Sequence, residues 1–345
     1  MNPRFRVAVW GTGNVGLRAL AAVLDHPQME LVALRVFSQG KQGRDAGALC
    51  GRAETGILAS RDPATLFAAR PDAVLYLPMA ADIDDLCRLL GAGIDVVTAC
   101  VGFNHRGSIE ADARARLEAA CRAGDASLYA TGSSPGWITE LVPLALLNME
   151  RRLDQLIITD YADMATRNSP EMLAALGFGA DPATLDPQRP IGTATSTPPT
   201  FRALAEAIGL PLDSVTCDIG HALATQDCTI AAGPIARGTV AALRMAVRGW
   251  HRGRALLVRH SLWFVSRATD PGWEYRDSGW RVQVKGDTSL DLAIGFDVAP
   301  QDYAAYSPGL TAHPLINALP HVCRARAGIL HTAELGMLVP DLREA

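Results

Sequence analysis

The chain has 345 residues, 49% of them hydrophobic and 20% charged, so it is long enough to form two domains, each with a core of its own. Its net charge of -4 excludes the basic surface required for nucleic acid or an anionic membrane, and no apolar run reaches the length of a membrane span. The seven cysteines include no C-x-x-C pair, and the first residues lack a signal-peptide pattern. We therefore predict a reduced, cytoplasmic protein with neither a disulfide framework nor a bound metal.

The chain begins with an apolar segment that leads into a glycine-rich turn. Residues 6–10 are typical of a buried strand; the spacing Gly-x-Gly-x-x-Gly follows, and then a periodic apolar helix over 17–24. The first glycine makes the tight turn, the second lets a pyrophosphate approach the backbone, and the third allows close helix–strand packing. The helix N-terminus offers N–H groups and a partial positive charge to phosphates. We predict a dinucleotide site, with a turn that binds no ligand as the alternative, at Gly11, Thr12, Gly13, Asn14, Val15 and Gly16.

The loop after the second predicted strand, residues 30–37, decides between NAD and NADP. An acidic side chain there binds the ribose 2′-hydroxyl of NAD, whereas basic and hydroxyl side chains accommodate the 2′-phosphate of NADP. This loop has Ser38, Lys41 and Arg44, and no carboxylate precedes Asp45. We predict NADP as the cofactor, with NAD as a second possibility. For each side chain, a solvated polar loop is the alternative.

Strands and helices alternate through the rest of the first 135 residues. The patterns predict strands over 72–77, 94–98 and 127–132, and helices over 83–90 and 109–122. This spacing is typical of βαβ units and predicts a doubly wound parallel sheet, a Rossmann domain over residues 1–135. Ligands bind beyond the carboxyl ends of such strands. We expect further cofactor-binding residues there, namely Leu77, Pro78, Thr98, Ala99 and Cys100.

Loops at the same strand ends supply candidate substrate contacts. Ser134 and Pro135 precede Trp137 at a predicted helix start, where serine caps and proline are favoured; Trp137 could equally be plain core. Several other residues in these loops are apolar, which indicates a small and fairly hydrophobic substrate. The predicted substrate-binding residues are Met79, Val101, Phe103, Ser134, Pro135, Trp137 and, in the second half of the chain, Thr166.

Residues 136–310 have a different pattern, in which long strand-like segments follow one another. A strand is predicted over 156–161, a hairpin joins 238–247 to 255–266, and 280–284 pairs with 290–296. This predicts an α+β substrate-binding domain with an open mixed sheet, whose uncovered edges and face favour a homodimer. Residues 181–199 are predicted to be irregular, and a helix is predicted to run from His313 to about Ala325 in a C-terminal segment over 311–345.

Four motifs in chain order carry a family resemblance: Val9–Gly16, Gly43–Gly47, Ser134–Gly136 and His313–Pro320. Together they resemble the dihydrodipicolinate-reductase-like oxidoreductases over almost the whole chain, and more closely the branch of 2,4-diaminopentanoate dehydrogenase and the native amine dehydrogenases. The resemblance implies an N-terminal Rossmann domain, a substrate domain that mediates dimerisation, and a C-terminal segment that returns to the first domain and brings Asn317 to the cofactor. It also implies NAD(P)H-dependent reduction of a C=N or C=O carbon in a cleft between the domains.

The sequence departs from this family at two places. The His-His-x-x-Lys motif of the dihydrodipicolinate reductases is absent from Thr159–Ser169, which excludes that specific activity. The resemblance also implies that amine dehydrogenases place a glutamate after the strand ending near Thr98, but Ala99–His105 contains no carboxylate. Such a carboxylate would stabilise a developing iminium and accept a proton. Either Asp160 or Asp163 replaces it, or the substrate is a carbonyl compound or alcohol.

The predicted catalytic residues are His105, Asp160, Tyr161, Asp163 and His313, because these side chains can exchange a proton with a carbonyl or amine. The ordinary alternatives are an exposed His105, a packed Tyr161, and aspartates that are solvated at a strand end or form weak ion pairs with Arg167. We predict an NAD(P)-dependent dehydrogenase or reductase, amine dehydrogenase-like. A carbonyl reductase or alcohol dehydrogenase and a catalytically silent NADP-binding sensor are the alternatives.

Overall fold

The structure, a computed structural model, describes residues 4–186 and 189–343. The predicted domain ranges include residues 1–3, 187–188 and 344–345, which lie outside the described residues. The first part of the chain alternates strands and helices, and its elements are β1 (Phe5–Trp10), α1 (Asn14–Leu24), β2 (Met29–Arg35), α2 (Ala46–Cys50), α3 (Pro63–Ala69), β3 (Ala73–Tyr76), α4 (Ile83–Gly91), β4 (Asp95–Thr98), α5 (Ala111–Gly124) and β5 (Ser127–Ala130).

The second part is rich in long strands. Its elements are α6 (Val142–Leu147), β6 (Leu153–Asp163), α7 (Pro170–Ala175), α8 (Thr193–Ala207), β7 (Ser214–Ala224), β8 (Cys228–Ile230), β9 (Gly233–Ile235), β10 (Val240–His251), β11 (Arg254–Phe264), β12 (Thr269–Asp270), β13 (Gly279–Gly286) and β14 (Leu290–Gly295). The chain then continues into α9 (Tyr303–Val322) and a last strand, β15 (Gly328–Leu330).

The strands form two main sheets in the part of the chain that the structure describes. The first is parallel, with the order β15-β5-β4-β3-β1-β2. The second is mixed, with the order β12-β7-β10-β11-β6-β13-β14, and in it β11 runs parallel to β6 and antiparallel to β10. The predicted fold class, a Rossmann-type parallel sheet and a separate open mixed sheet, is confirmed. The strand order of the first sheet reverses between β1 and β3, and ligands bind at such a switch point.

The first sheet is covered on both faces, because alternate residues of β1 point in opposite directions. Val7 and Val9 pack in one buried cluster with residues of α1 and α9, while Ala8 and Trp10 pack in another with residues of α4 and α5. Burial on both faces explains why this strand is a continuous apolar run. It holds the glycine turn that follows Trp10 against a rigid layer.

Helix α9 begins well before the predicted start at His313, and the prediction is wrong on this point. Proline has no N–H group and usually begins or breaks a helix, so Pro314 indicated a start. Pro314 lies inside α9, as do two further prolines. Leu315 and Leu319 are fully buried in the core of the parallel sheet. The free energy gained by burying these side chains thus outweighs the loss of the backbone hydrogen bonds that the prolines cannot donate.

Helix α8 lies partly within residues 181–199, which were predicted to be irregular. It contains Pro198 and Pro199, yet it begins at Thr193. Phe201 and Leu204 are fully buried, and α8 packs on β10. Again, burial of one helix face compensates for a sequence with poor helix propensity.

The chain divides into two compact units. One comprises the described residues up to Trp137 together with those from Ser307 onward, and the other is Ile138–Tyr306. The three predicted ranges, 1–135, 136–310 and 311–345, were assigned by function. These assignments, to cofactor binding, to substrate binding and dimerisation, and to the C-terminal segment, remain predictions. The last strand, β15, pairs with β5, so the C-terminal part of the chain completes the parallel sheet.

The amino end of the first sheet contains a half-buried acidic group at Asp95. Its Oδ1 accepts a hydrogen bond from the backbone N–H of Ser127 at 2.7 Å. Burial raises the pKa of Asp95 to about 6, although this bond and one from Cys323 act in the opposite direction. Since the folded pKa lies above the unfolded one, the stabilisation from the bound proton is fully present below pH about 4 and is lost as the pH rises through 6.

We expect Asp95→Asn to remove this loss of stability. The variant should be more stable than the parent by about 1 to 2 kcal/mol at pH 8, with the difference absent at pH 4. Urea denaturation at a series of pH values measures it. Glu54→Gln is the control, because Glu54 is an exposed carboxylate that does not contribute to the pKa shift of Asp95. Equal pH profiles for Asp95→Asn and the parent would contradict the interpretation.

Candidate functional site

The glycine turn after β1 has the geometry of a phosphate-binding loop. Gly11 has φ +109°, and a Cβ atom there would lie 2.7 Å from the carbonyl oxygen of Leu77. A Cβ atom on Gly16 would lie 2.1 Å from the carbonyl oxygen of Gly11, so helix and loop touch through the glycine. A Cβ atom on Gly13 would have no neighbour within 4 Å among the described residues. Two glycines are thus required by packing, and the third faces open space.

The N-terminus of α1 is directed at this open space. Gly13 is its N-cap and has no side chain to cap the first N–H groups, and the first turn contains no acidic residue. These N–H groups and the helix dipole therefore suit an anion. Asn14 is exposed and Val15 half-buried, whereas Thr12 is buried. The residues present fit the diphosphate of a dinucleotide.

The loop after β2 places cationic groups beside the glycine turn. Lys41 Nζ donates hydrogen bonds to the carbonyl oxygen of Thr12 at 2.6 Å and to its Oγ1 at 3.3 Å. Ser38 and Arg44 are exposed. No carboxylate of residues 4–186 or 189–343 pairs with Arg44. Lys41 therefore braces the turn itself, while Arg44 is available to a ligand.

Two further arginines contact this loop, and neither was predicted from the sequence. Arg61 Nε donates to the carbonyl oxygen of Phe37 at 3.1 Å, and its backbone N–H donates to Gln42 Oε1 at 2.6 Å. The guanidinium carbon of Arg35 lies 4.8 Å from the ring centre of Trp10 and 5.3 Å from that of Phe37. The position of Arg35 at the end of β2, directly before the loop, could have indicated this contact. Arg61 lies much further along the chain, and no local pattern indicates its contact with the loop.

The predicted residues after β3 and β4 lie at the carboxyl edge of the sheet. Leu77, Pro78 and Ala99 are half-buried, whereas Met79 is fully exposed. Thr98 is buried, and its Oγ1 donates to the carbonyl oxygen of Tyr76 at 2.7 Å. This bond fixes the start of the loop that the resemblance associates with the reacting group.

Cys100 follows in the same loop. It is buried, and its Sγ contacts the carbonyl oxygen of Pro78 at 3.4 Å. Burial raises the pKa of Cys100, so the group is a thiol rather than a nucleophilic thiolate at neutral pH.

The rest of this loop contains no carboxylate directed at the sheet edge. Val101 is exposed and Phe103 buried. Nδ1 of His105 forms a hydrogen bond with Ser108 Oγ at 2.7 Å. Glu110, the first carboxylate after Thr98 in the sequence, accepts hydrogen bonds from the first N–H groups of α5. It is thus a helix cap and not a substitute for the glutamate that the resemblance implies.

Residues Ser134, Pro135 and Gly136 form a kinked turn directly before the helical residues that lead into α6. Ser134 and Pro135 are extended and Gly136 has φ +120°. A Cβ atom on Gly136 would lie 2.5 Å from Thr131 Oγ1, so only glycine fits there. Ser134, Pro135 and Trp137 are half-buried. The backbone is helical after Gly136 and continues into α6, so a helix does begin at this point, and a binding role for its N-terminus remains a prediction.

His313 and Asn317 lie one turn apart on α9. Asn317 is half-buried, and His313 keeps much of its surface exposed. Burial by the atoms packed around its ring, together with the positive charge of Arg18, lowers the pKa of His313. The imidazole is therefore neutral at pH 7 and able to accept a proton.

In the second unit, Asp160 belongs to a buried polar network. Its carboxylate accepts hydrogen bonds from Arg259 Nε and Nη2, both at 3.3 Å, from Trp263 Nε1 at 2.7 Å, and from the hydroxyl of Ser261. Arg259 is 1% exposed, and its Nη1 donates to Thr197 Oγ1 of α8 at 3.2 Å. The ion pair of Asp160 is with Arg259 on the neighbouring strand, so the alternative of an ion pair between Asp160 and Arg167 does not hold.

Tyr161 and Asp163 have other environments. Tyr161 points to the opposite face of the sheet from Asp160, and the guanidinium of Arg276 lies 5.6 Å from its ring centre. Asp163 Oδ1 accepts from the backbone N–H of Ala165 at 3.0 Å and stabilises the turn after β6. Thr166 is half-buried in that turn.

The five predicted catalytic residues thus fall into two groups. His105 and His313 belong to the first unit, and Asp160, Tyr161 and Asp163 to the second. No group of three or more His, Cys, Asp or Glu side chains in the described residues is arranged to hold a metal ion. Of the helices that the structure describes, none combines the length and apolar character needed to cross a membrane.

Comparisons with known proteins agree with this architecture. No family model matches the chain. An amine dehydrogenase from Streptomyces virginiae is 28% identical over 347 residues, which cover 95% of each chain. The structure of an amine dehydrogenase from Mycobacterium smegmatis matches with a TM-score of 0.81 and 19% identity over 99% of this chain and 98% of that one. GenD2 from gentamicin A biosynthesis, in complex with NAD, matches with a TM-score of 0.51 and 14% identity over 92% and 87% of the two chains.

These similarities extend over nearly the full length of both chains and thus include both sheets. They confirm the predicted α/β fold and the predicted class of NAD(P)-dependent oxidoreductase.

Proposed function

We propose that this chain, an NAD(P)-dependent oxidoreductase, uses NADPH to reduce the C=O or C=N carbon of a small, largely apolar substrate. With ammonia, the carbonyl compound, NADPH and one proton give the primary amine, NADP⁺ and water, and the reverse reaction is amine oxidation. The observation that carries the proposal is the 28% identity to an amine dehydrogenase over 95% of both chains. We place the chain beside that enzyme, in the dihydrodipicolinate-reductase-like group, and expect it in the cytoplasm.

The cofactor, when bound, supplies the hydride, so the protein has to bind, orient and handle protons. Gly13 and the first N–H groups of α1 bind the diphosphate, while Ser38 and Arg44 contact the 2′-phosphate. Lys41 keeps the glycine turn in place through its bonds to Thr12. His313, neutral at pH 7, accepts a proton in the oxidative direction.

A second candidate is a carbonyl reductase that needs no ammonia, in which the carbonyl compound, NADPH and one proton give the alcohol and NADP⁺. The loop Ala99–His105 favours it, because this loop has no carboxylate to stabilise an iminium, and Glu110 caps α5. A neutral carbonyl needs only a proton donor.

Purified protein incubated with NADPH and a panel of aldehydes and ketones, with and without ammonium, separates the candidates. Product amine that forms only with ammonium supports the amine dehydrogenase. Alcohol formed equally without ammonium identifies the carbonyl reductase. Tight NADPH binding with no turnover on any compound would contradict both and indicate a sensor.

Arg44→Ala should discriminate between the two cofactors. We expect the Kd for NADPH to rise roughly 5- to 20-fold and that for NADH to change less than about twofold, because only NADPH has the 2′-phosphate. Lys41→Ala should weaken both, since Lys41 braces the turn. Fluorescence titration measures each Kd, with Arg52→Ala as an exposed control paired with Asp25. Equal losses of both cofactors in Arg44→Ala would exclude a 2′-phosphate contact.

We also propose a homodimer through the mixed sheet. On the face opposite Asp160, Trp250 and His260 are half-buried, and Arg244 is exposed. A partly apolar open sheet face is commonly covered by association. Sedimentation equilibrium should give twice the chain mass of 36.7 kDa.

A further inference from the structure

The loop Ser38–Arg44, which we call the cofactor loop, is held at both ends by a later segment of the chain. Directly before the loop, the backbone N–H of Val36 donates a hydrogen bond to the carbonyl oxygen of Ser60 at 2.9 Å. At the end of the loop, the backbone N–H of Ala59 donates to the carbonyl oxygen of Arg44 at 2.8 Å. These bonds fix the positions at which the loop begins and ends.

Arg61, in the same later segment, contacts the loop region at three points. Its Nε donates to the carbonyl oxygen of Phe37 at 3.1 Å, its Nη1 donates to Oε1 of Gln39, and its backbone N–H donates to Oε1 of Gln42 at 2.6 Å. The carbonyl oxygen of Arg61 accepts a hydrogen bond from Nη1 of Arg35, whose guanidinium lies against two aromatic rings. A single residue thus joins the end of the strand to the first half of the loop.

The guanidinium of Arg61 keeps its positive charge without a counter-ion in residues 4–186 and 189–343. Its side-chain acceptors, a backbone carbonyl and an amide oxygen, are both neutral. The cofactor loop itself contains Lys41 and Arg44 and no acidic residue. The loop and its brace therefore have an excess of positive charge, which suits a phosphate better than a hydroxyl group.

We propose that Arg61 is a positioning residue, which holds the cofactor loop in the shape that lets Ser38 and Arg44 reach the 2′-phosphate of NADPH together. This inference rests on the proposed use of NADPH and assigns part of the cofactor preference to a residue outside the loop. A loop that is already held in its bound shape costs less to order when the ligand binds. NADH has no 2′-phosphate and therefore gains nothing from that shape.

The test uses adenosine 2′,5′-bisphosphate and 5′-AMP, which differ only in the 2′-phosphate and whose binding needs no turnover. For the parent protein, we expect the bisphosphate to bind at least about 10-fold more tightly. In Arg61→Met this ratio should fall roughly 3- to 10-fold, through the Kd of the bisphosphate alone. Arg61→Lys should restore only part of it, because one ammonium group cannot make the contacts of the guanidinium fork. Isothermal titration gives each Kd.

The double variant Arg61→Met with Arg44→Ala separates positioning from direct contact with the phosphate. If Arg61 acts through the loop, the two losses should combine to less than their product, because the shape of the loop matters less once Arg44 is gone. Losses that multiply fully would show that Arg61 acts independently of Arg44 and would contradict the positioning role.

Arg116→Met is the matched control, because Arg116 is an exposed arginine of the same unit whose side chain also joins two elements, pairing from α5 with Asp84 of α4. Its ratio should equal that of the parent. An unchanged ratio in Arg61→Met, or equal losses of both nucleotides, would overturn the role of Arg61 while the preference for NADPH stands. A parent protein that binds both nucleotides equally would overturn that preference as well and would leave an oxidoreductase that uses NADH.

Discussion

Replacing Arg259 with methionine should lower the free energy of unfolding by about 3 to 5 kcal/mol, because it leaves the carboxylate of Asp160 buried without its counter-ion. Asp160 is 5% exposed and Arg259 1% exposed, so solvent cannot replace the lost partner. Two donors to Asp160 would remain, Ser261 and Trp263, but neither has a positive charge. Urea denaturation measures the difference in the free energy of unfolding when both proteins are fitted with the same m-value.

Two comparisons make this result specific. Arg254→Met should cost less than about 1 kcal/mol, since Arg254 is on the same strand but exposed, at 3.9 Å from Asp154. The double variant Asp160→Asn with Arg259→Met should be more stable than Arg259→Met alone, because the unpaired charge is gone. Equal costs for the Arg259 and Arg254 variants would contradict the view that Asp160 is structural. If Asp160→Asn lost activity while keeping its stability, a catalytic role for Asp160 would be restored.

Replacing Gly13 with valine should weaken NADPH binding roughly 100-fold or more, because several charge-assisted hydrogen bonds of about 1.5 to 3 kcal/mol each depend on close approach of the phosphates. The fold should tolerate the change, since a Cβ atom at Gly13 meets no described atom within 4 Å and the residue has an extended conformation. Loss of a glycine N-cap should cost at most about 1 kcal/mol. Isothermal titration with NADPH and thermal unfolding measure the two effects.

Gly16→Ala supplies the contrast. Its Cβ atom would lie 2.1 Å from the backbone of Gly11, so the variant should lose thermal stability as well as cofactor affinity. A Gly13 variant that binds NADPH as tightly as the parent would mean that the dinucleotide does not approach this turn.

The parts of the fold that follow from local pattern could be predicted from the sequence. Three features depend only on neighbouring residues and on the spacing of apolar residues along the chain. They are the glycine turn, the buried segment Val7–Trp10 and the pairing of 280–284 with 290–296. Helix α9 could not be placed, because Pro314 argues locally for a start and only the burial of Leu315 and Leu319 explains why the helix continues through it.

The candidate site could be predicted less well, because its contacts join distant parts of the chain. Asp160 and Arg259 are 99 positions apart and meet only because β6 pairs in parallel with β11. Arg61 reaches the loop after β2 through a contact that no motif encodes. The absence of a carboxylate from Ala99–His105 was visible in the sequence, but the capping role of Glu110 needed the backbone of α5.

Transfer of deuterium from C4 of labelled NADPH to the product carbon tests the central claim most directly. The carbonyl compound with the fastest turnover is reduced with each C4-deuterated epimer, with and without ammonium, and the product is analysed by mass spectrometry. We predict that one epimer places one deuterium on the former carbonyl carbon of an amine or alcohol. Unlabelled product from both epimers, or bound NADPH that is never consumed, would contradict the assignment of this chain as a hydride-transferring enzyme.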